Sequence, residues 1–134
     1  NYFGLPSTRC FLVWEKGEGF YNRTYAECEL AWTSFDKNTV KYKRDPLAKG
    51  DYKGKIHPTQ KPIQLYKWLL KNYAKEGDKI LDTHLGSGSI AIAIDNVNKI
   101  DKMNLTLTAC ELDKEYFDKS MERIKRKTAQ QTLF

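Results

Sequence analysis

Asp82-Thr83-His84-Leu85-Gly86-Ser87-Gly88-Ser89 lies between a strand-like run and a helix-like run, and Glu111 stands 23 residues beyond Gly88. These residue types at this spacing could hold a nucleotide-type ligand in a strand–helix–strand crossover. Glycines let the backbone turn sharply and approach a ligand where a Cβ would collide with it. An acid at the end of the second strand can accept hydrogen bonds from both ribose hydroxyls, and crossovers of this kind place it roughly 20 residues after the turn. Two cofactor classes share the plan. Gly86-x-Gly88-x-x-Ala91 fits the dinucleotide pattern, so a nicotinamide or flavin ligand is open. Asp82 favours the other class. A carboxylate at the carboxyl end of the first strand repels a diphosphate but pairs with the α-ammonium of S-adenosylmethionine, so acids at both strand ends suit a cationic sulfonium ligand.

The elements that must position these residues are readable from hydrophobic periodicity. Residues 10–14 (Cys-Phe-Leu-Val-Trp) and 29–35 (Glu-Leu-Ala-Trp-Thr-Ser-Phe) read as strands of an antiparallel pair, joined through a turn at Lys16-Gly17-Glu18-Gly19. Residues 36–57 carry seven Lys/Arg and three acids with little that is apolar, and read as a basic surface loop or short hairpin extension. Pro62 opens a helix with apolar residues at Leu65, Tyr66, Leu69, Leu70 and Tyr73, ended by Gly77-Asp78. Residues 79–83 read as a strand, 89–97 as a buried helix and 105–110 as the next strand. Residues 114–127 form an amphipathic helix with Tyr116, Phe117, Met121 and Ile124 on one face. Its charges Lys119, Arg123, Lys125, Arg126 and Lys127 read as a solvated face. Residues 128–134 should fray.

The chain has 134 residues, enough for one domain of ordinary size. Lys and Arg number 23 against 17 acids, a net +6 that makes an anionic partner plausible, nucleic acid first. No apolar run approaches the roughly 20 residues of a membrane span, and no charged-then-apolar leader opens the sequence. Cys10, Cys28 and Cys110 are odd in number and lack any C-x-x-C pairing, which argues against a disulfide framework or metal site and for a reducing compartment. Each lies in a strand-like run and reads as a small core hydrophobe.

His57-Pro58-Thr59-Gln60-Lys61-Pro62 precedes the first helix. This run, then Asp82 to Ser89, then Ala109-Cys110-Glu111-Leu112-Asp113 with Tyr116-Phe117, resembles the carboxyl-terminal half of amino-group DNA methyltransferases of the β arrangement. Those enzymes modify N6 of adenine or N4 of cytosine. The resemblance covers 57–125, and 10–35 is similar to the family's hairpin strands. It implies an α/β fold, part of a Rossmann-like class I methyltransferase sheet, mostly parallel with an antiparallel hairpin. The whole of 1–134 would be the carboxyl-terminal portion of one domain: hairpin strands in 1–35, a basic loop with possible DNA contact in 36–57, and a cofactor-binding unit in 58–127. It also implies a site-specific transferase of the restriction-modification kind, cytoplasmic, acting on double-stranded DNA.

By that resemblance S-adenosylmethionine is the cofactor. Gly86, Gly88 and Ser89, with Leu85, would line its methionine and ribose region. Glu111 would hold the ribose hydroxyls and Asp82 would lie at the ammonium. His57, Thr59, Gln60 and Lys61 would close over the methionine portion, and Leu112 and Asp113 would flank the adenine. Lys41, Lys43, Arg44, Lys49, Lys53 and Lys55 are the candidate DNA contacts. Thr83-His84 departs from the family's Pro-Phe. The family's catalytic tetrapeptide, [DNS]-P-P-[YFW], does not occur in this sequence. The expectation is therefore a piece that is inactive alone, lacks the central strands and requires an amino-terminal half supplied from elsewhere. A nicotinamide-dependent oxidoreductase domain and a non-catalytic DNA-binding remnant remain as alternatives.

Overall fold

The computed structural model describes residues 4–48 and 55–129. The chain forms two compact α/β and β units, divided between Ala48 and Lys49. In the first unit β1 (Phe11–Glu15) is the central strand, with β2 (Cys28–Trp32) antiparallel on one side and β3 (Val40–Lys43) parallel on the other. The pleat of β1 buries Leu12 and Trp14, and the Trp14 indole N–H donates to the Arg44 carbonyl at 2.8 Å. The β1–β2 register runs from Phe11 opposite Trp32 to Glu15 opposite Cys28, the antiparallel pair the apolar runs predict. Their connection turns through Gly17, at φ 98°, into one 3-10 turn (Glu18–Phe20).

β3 lies inside the stretch that composition assigns to a basic loop. Val40-Lys41-Tyr42-Lys43 alternates with period two, and its lysines fall on the same face as Glu15, whose partner in register is Lys43. Lys41 Nζ stands 2.6 Å from the Glu15 carboxylate and Lys43 Nζ 4.0 Å from it. The acid that makes a basic strand tolerable is more than 20 positions away, so no local pattern announces it. The cysteines also differ from expectation. Cys10 is buried, but Cys28 and Cys110 are exposed, because β2 is an edge strand and Cys110 follows the last residue of its strand.

The second unit runs α1 (Ile63–Tyr73), β4 (Lys79–Asp82), α2 (Ser89–Asp101), β5 (Thr106–Ala109) and α3 (Lys114–Ala129). β4 and β5 pair in parallel, Asp82 opposite Ala109, with α2 as the crossover. Leu70 of α1 packs with Ala93, Ile94 and Val97 of α2 and with Leu105, and Ile80 and Leu107 close this core from the strands. Ile80 and Leu107 share one face of the pair. The opposite face carries Leu81, 67% exposed, with Thr106 and Thr108, also exposed. Asn98 ties the end of α2 to the next strand, taking the Leu105 N–H at 2.7 Å and donating to its carbonyl at 2.9 Å. Asp113 caps α3 by accepting the Tyr116 N–H at 2.9 Å. Among the described residues no helix is long and apolar enough to cross a membrane.

Candidate functional site

The two strand ends of the second unit open into a cleft of about 340 Å³. Its position, beyond the carboxyl ends of adjacent parallel strands, is where open α/β sheets bind ligands. One wall is the turn before α1, with His57, Thr59, Gln60 and Lys61. The facing wall is the glycine turn, with Leu85, Gly86 and Ser87, and Glu111 of the β5 end stands beside it. Seven of the sequence-predicted residues therefore meet here, from three separate stretches of chain. Tyr66, His84 and Ser87 also line the cleft. His84 and Ser87 lie within the run that the sequence singles out but are not named as contacts, and Tyr66 reads there as an apolar position of α1.

Glu111 is the hinge of the arrangement. Its Oε2 accepts the Gly86 N–H at 2.8 Å, and its Oε1 accepts the Asp113 N–H at 3.0 Å. The Asp113 and Gly86 amides hold the carboxyl below its ordinary value of 4.5. The group is thus an anion fastened to the turn it faces. A carboxylate has about four lone-pair sites, so the amides that hold it leave acceptor capacity for a ligand hydroxyl.

The glycine turn is held from within. Gly86 and Gly88 both take positive φ, 54° and 74°. Gly88 N–H donates to the Leu85 carbonyl at 2.9 Å, and Leu85 N–H donates to the Cys110 carbonyl at 2.9 Å. A Cβ on Gly86 would meet nothing nearer than the His84 carbonyl at 3.7 Å, so that glycine leaves room on the cleft side. A Cβ on Gly88 would lie 2.7 Å from Ile124 Cδ1, so this second glycine serves helix packing.

Five predicted residues do not stand on the cleft wall. Asp82 accepts the His84 N–H at 2.9 Å and so shapes the turn. Gly88 is pressed against α3, and Ser89 is buried beneath the turn. Leu112 is fully exposed, and Asp113 caps α3. His84, which departs from the family pattern, lines the cleft with its Nδ1 paired to Thr83 Oγ1 at 2.8 Å. On the other wall His57 Nδ1 is 3.0 Å from Thr59 Oγ1, and the His57 ring lies against Tyr116 with centroids 4.4 Å apart. Arg123, which the charge pattern places on a solvated face, is 4% exposed. The correction has a local cause: its guanidinium donates to the Ser87 carbonyl and the Ser89 hydroxyl.

Of the candidate DNA contacts, Lys49 and Lys53 lie outside the described residues. Lys41 and Lys43 belong to β3 and pair with Glu15, and Lys43 also with Glu18 at 3.5 Å. Arg44 follows β3, and Lys55 is exposed just before the His57 turn.

Comparison with known proteins relates the chain to a family model and to curated relatives. A family model described as DNA methylase, of the N6/N4 class, matches residues 11–122. The type II methyltransferase M.HpaI of Haemophilus parainfluenzae is 36% identical over 80 residues, a match that takes in 54% of this chain. The same match takes in 26% of M.HpaI, so the chain corresponds to about a quarter of that relative.

Proposed function

Because this chain belongs to the amino-group (N6/N4) DNA methylase family, we propose that its cleft is the S-adenosylmethionine site of a site-specific DNA methyltransferase, one that methylates the exocyclic amino group of adenine (N6) or, as the second choice, of cytosine (N4). The observation that carries the reading is that both glycine amides are already spent: Gly86 N–H on the Glu111 carboxylate and Gly88 N–H on the Leu85 carbonyl. A dinucleotide diphosphate needs those donors. A ribose needs acceptors, and Glu111 supplies them. The cleft residues fit the cofactor on that ground. S-adenosylmethionine supplies an electrophilic methyl group. Glu111 would hold the ribose hydroxyls, Lys61 would pair the amino-acid carboxylate, and Leu85 and Gly86 would let the ligand lie close to the turn. Asp82 would act on the ammonium only through the shape it gives the Thr83-His84 turn. Rigid placement of this kind can contribute roughly 7–11 kcal/mol to a two-reactant step.

The reading extends to partners. The target base, held by a [DNS]-P-P-[YFW] segment absent from this sequence, would be presented by further chain, the remainder of a Rossmann-like methyltransferase sheet. That remainder would cover the face carrying Leu81, and the quarter-length match to M.HpaI supports it. Alone, this chain would bind cofactor without methylating DNA. The basic residues Arg44 and Lys55 would contact phosphates of double-stranded DNA. The setting is the cytoplasm, beside a restriction activity.

Calorimetric titration of the chain with S-adenosylmethionine, S-adenosylhomocysteine and NAD tests the reading. The adenosyl ligands should bind, NAD should not, and Glu111→Gln should weaken binding. NAD binding without adenosyl-ligand binding would overturn the assignment in favour of an oxidoreductase. Co-expression with a segment carrying the tetrapeptide should restore methylation of adenine N6 or cytosine N4. Salt-sensitive DNA binding with no methylation in that mixture would point instead to a non-catalytic remnant.

A further inference from the structure

Both walls of the cleft rest on one face of α3. We infer that α3 sets the geometry of the cleft, with Arg123 positioning the glycine turn and Tyr116 positioning the His57 turn; the inference rests on the cofactor reading of that cleft. Tyr116, Ser120 and Arg123 are four and three residues apart and so share one helix face. At one end the Tyr116 ring supports the His57 ring, centroids 4.4 Å apart at 52°. At the other, Arg123 Nη1 donates to the Ser87 carbonyl at 2.8 Å and to the Ser89 hydroxyl at 3.1 Å. These are the residues on either side of Gly88. Gly88 is therefore straddled by one guanidinium, while Ile124 and Ser120 fill the space where its Cβ would be.

Ile92 and Ile124 supply apolar contact on this side of α2, but cohesion alone gives a poor account of the polar groups buried with them. The α1–α2 contact is built from Leu70, Ala93, Ile94 and Val97. The buried polar residues described in the same unit are instead Ser87, Ser89, Asn96, Ser120 and Arg123. They belong to the turn, to α2 and to α3, and Asn96 shares the helix face of Ser89, seven residues earlier. A buried charge is costly to desolvate, and an apolar residue of the same volume would hold the helices together at lower cost. A guanidinium supplies what an apolar residue lacks: a rigid fork of donors that admits one arrangement of its acceptors. Neither Arg123 nor Tyr116 lines the cleft, so each acts through the residue it holds.

The test uses Arg123→Met, Arg123→Lys and Tyr116→Leu, with Lys125→Ala on the exposed face of the same helix as control. S-adenosylhomocysteine affinity is measured by calorimetry, and amide hydrogen exchange is followed by NMR in the ligand-free chain. A misplacement of reacting groups by about 1 Å can cost about a hundredfold in rate, and a displaced wall weakens binding in the same sense. Arg123→Met and Tyr116→Leu should each weaken binding about tenfold or more, Arg123→Lys less than Arg123→Met, and Lys125→Ala by less than about twofold. In the ligand-free chain, Arg123→Met should speed exchange at Gly86 and Gly88 about tenfold and leave Ala93 and Val97 at wild-type rates. Uniform acceleration across α2 would assign Arg123 to ordinary stability and overturn the inference, as would unchanged exchange at both glycines. If Arg123→Met does not fold, Arg123→Lys and Tyr116→Leu decide by the same measurements. Failure of the wild-type chain to bind would sink the cofactor reading, while the exchange pattern would still decide whether Arg123 positions the turn.

Discussion

Alanine at Gly88 probes the closest approach in the cofactor turn. Gly88 caps α2 at φ 74° and ψ 16°. An alanine there carries a left-handed penalty of about 1–2 kcal/mol. Its Cβ would lie 2.7 Å from Ile124 Cδ1 and 2.9 Å from Ile124 Cγ1. Cδ1 ends a flexible chain and can swing aside, but Cγ1 moves only with a change of χ1, and overpacking of this kind costs about 1–3 kcal/mol. The total is about 2–5 kcal/mol. Gly86 provides the comparison, since at φ 54° its added Cβ would meet nothing within 3.7 Å. Only the backbone penalty of about 1–2 kcal/mol applies there. The two variants should differ by about 1–3 kcal/mol, about 5- to 150-fold in the opening constant of the first α2 turn. The Ile92 N–H, which donates to the Gly88 carbonyl at 3.3 Å, reports that opening by hydrogen exchange. It should exchange faster in Gly88→Ala than in Gly86→Ala by that factor. Measured against Ile124→Ala alone, the double variant Gly88→Ala/Ile124→Ala should recover most of the excess. Equal exchange in the two glycine variants, or no recovery in the double variant, would refute the reasoning.

Three further outcomes follow from charge placement. The Glu111 carboxyl is held below 4.5 by the Asp113 and Gly86 amides, so its clasp contributes fully above the unfolded value and is lost as pH falls through the lower, folded one. The Gly86 amide proton should titrate with a midpoint under 4.5 and stop titrating in Glu111→Gln; a midpoint at 4.5 or above would contradict this. In the first unit the Glu15 carboxylate accepts the Tyr21 hydroxyl and pushes that phenol up to about 12. A raised folded value means the contact contributes below pH 10 and is lost as pH rises towards 12. Ultraviolet titration should show one late phenol that returns towards 10 in Glu15→Gln, and the absence of a late phenol would sink the assignment. For DNA binding, each phosphate contact adds about 0.9 to the slope of log affinity against log salt. Lys41, 2.6 Å from Glu15, should change that slope less on Lys41→Ala than Lys55→Ala does, and the reverse order would place the DNA contact on β3.

Local periodicity determined the repeating elements. The spacing of Leu65, Tyr66, Leu69, Leu70 and Tyr73 gives α1, and the short apolar runs give β1, β4 and β5, because a helix or strand is set by residues within a few positions of one another. The glycine turn and the acid that ends the next strand were legible for the same reason, as each is a local break in a pattern. Partnership across the chain was decided only by the tertiary structure. β3 is hidden among lysines until Glu15 is brought beside it. Asp82 and Ser89 have the types a cofactor wall needs; what the fold adds is that one Asp82 oxygen accepts the His84 N–H and that Ser89 is buried. Arg123 has the sequence character of a solvent-facing charge and is instead buried under residues more than 30 positions earlier. Charge and hydrogen-bonding capacity carry no direction in a sequence; they acquire one when packing places an acceptor within about 3 Å.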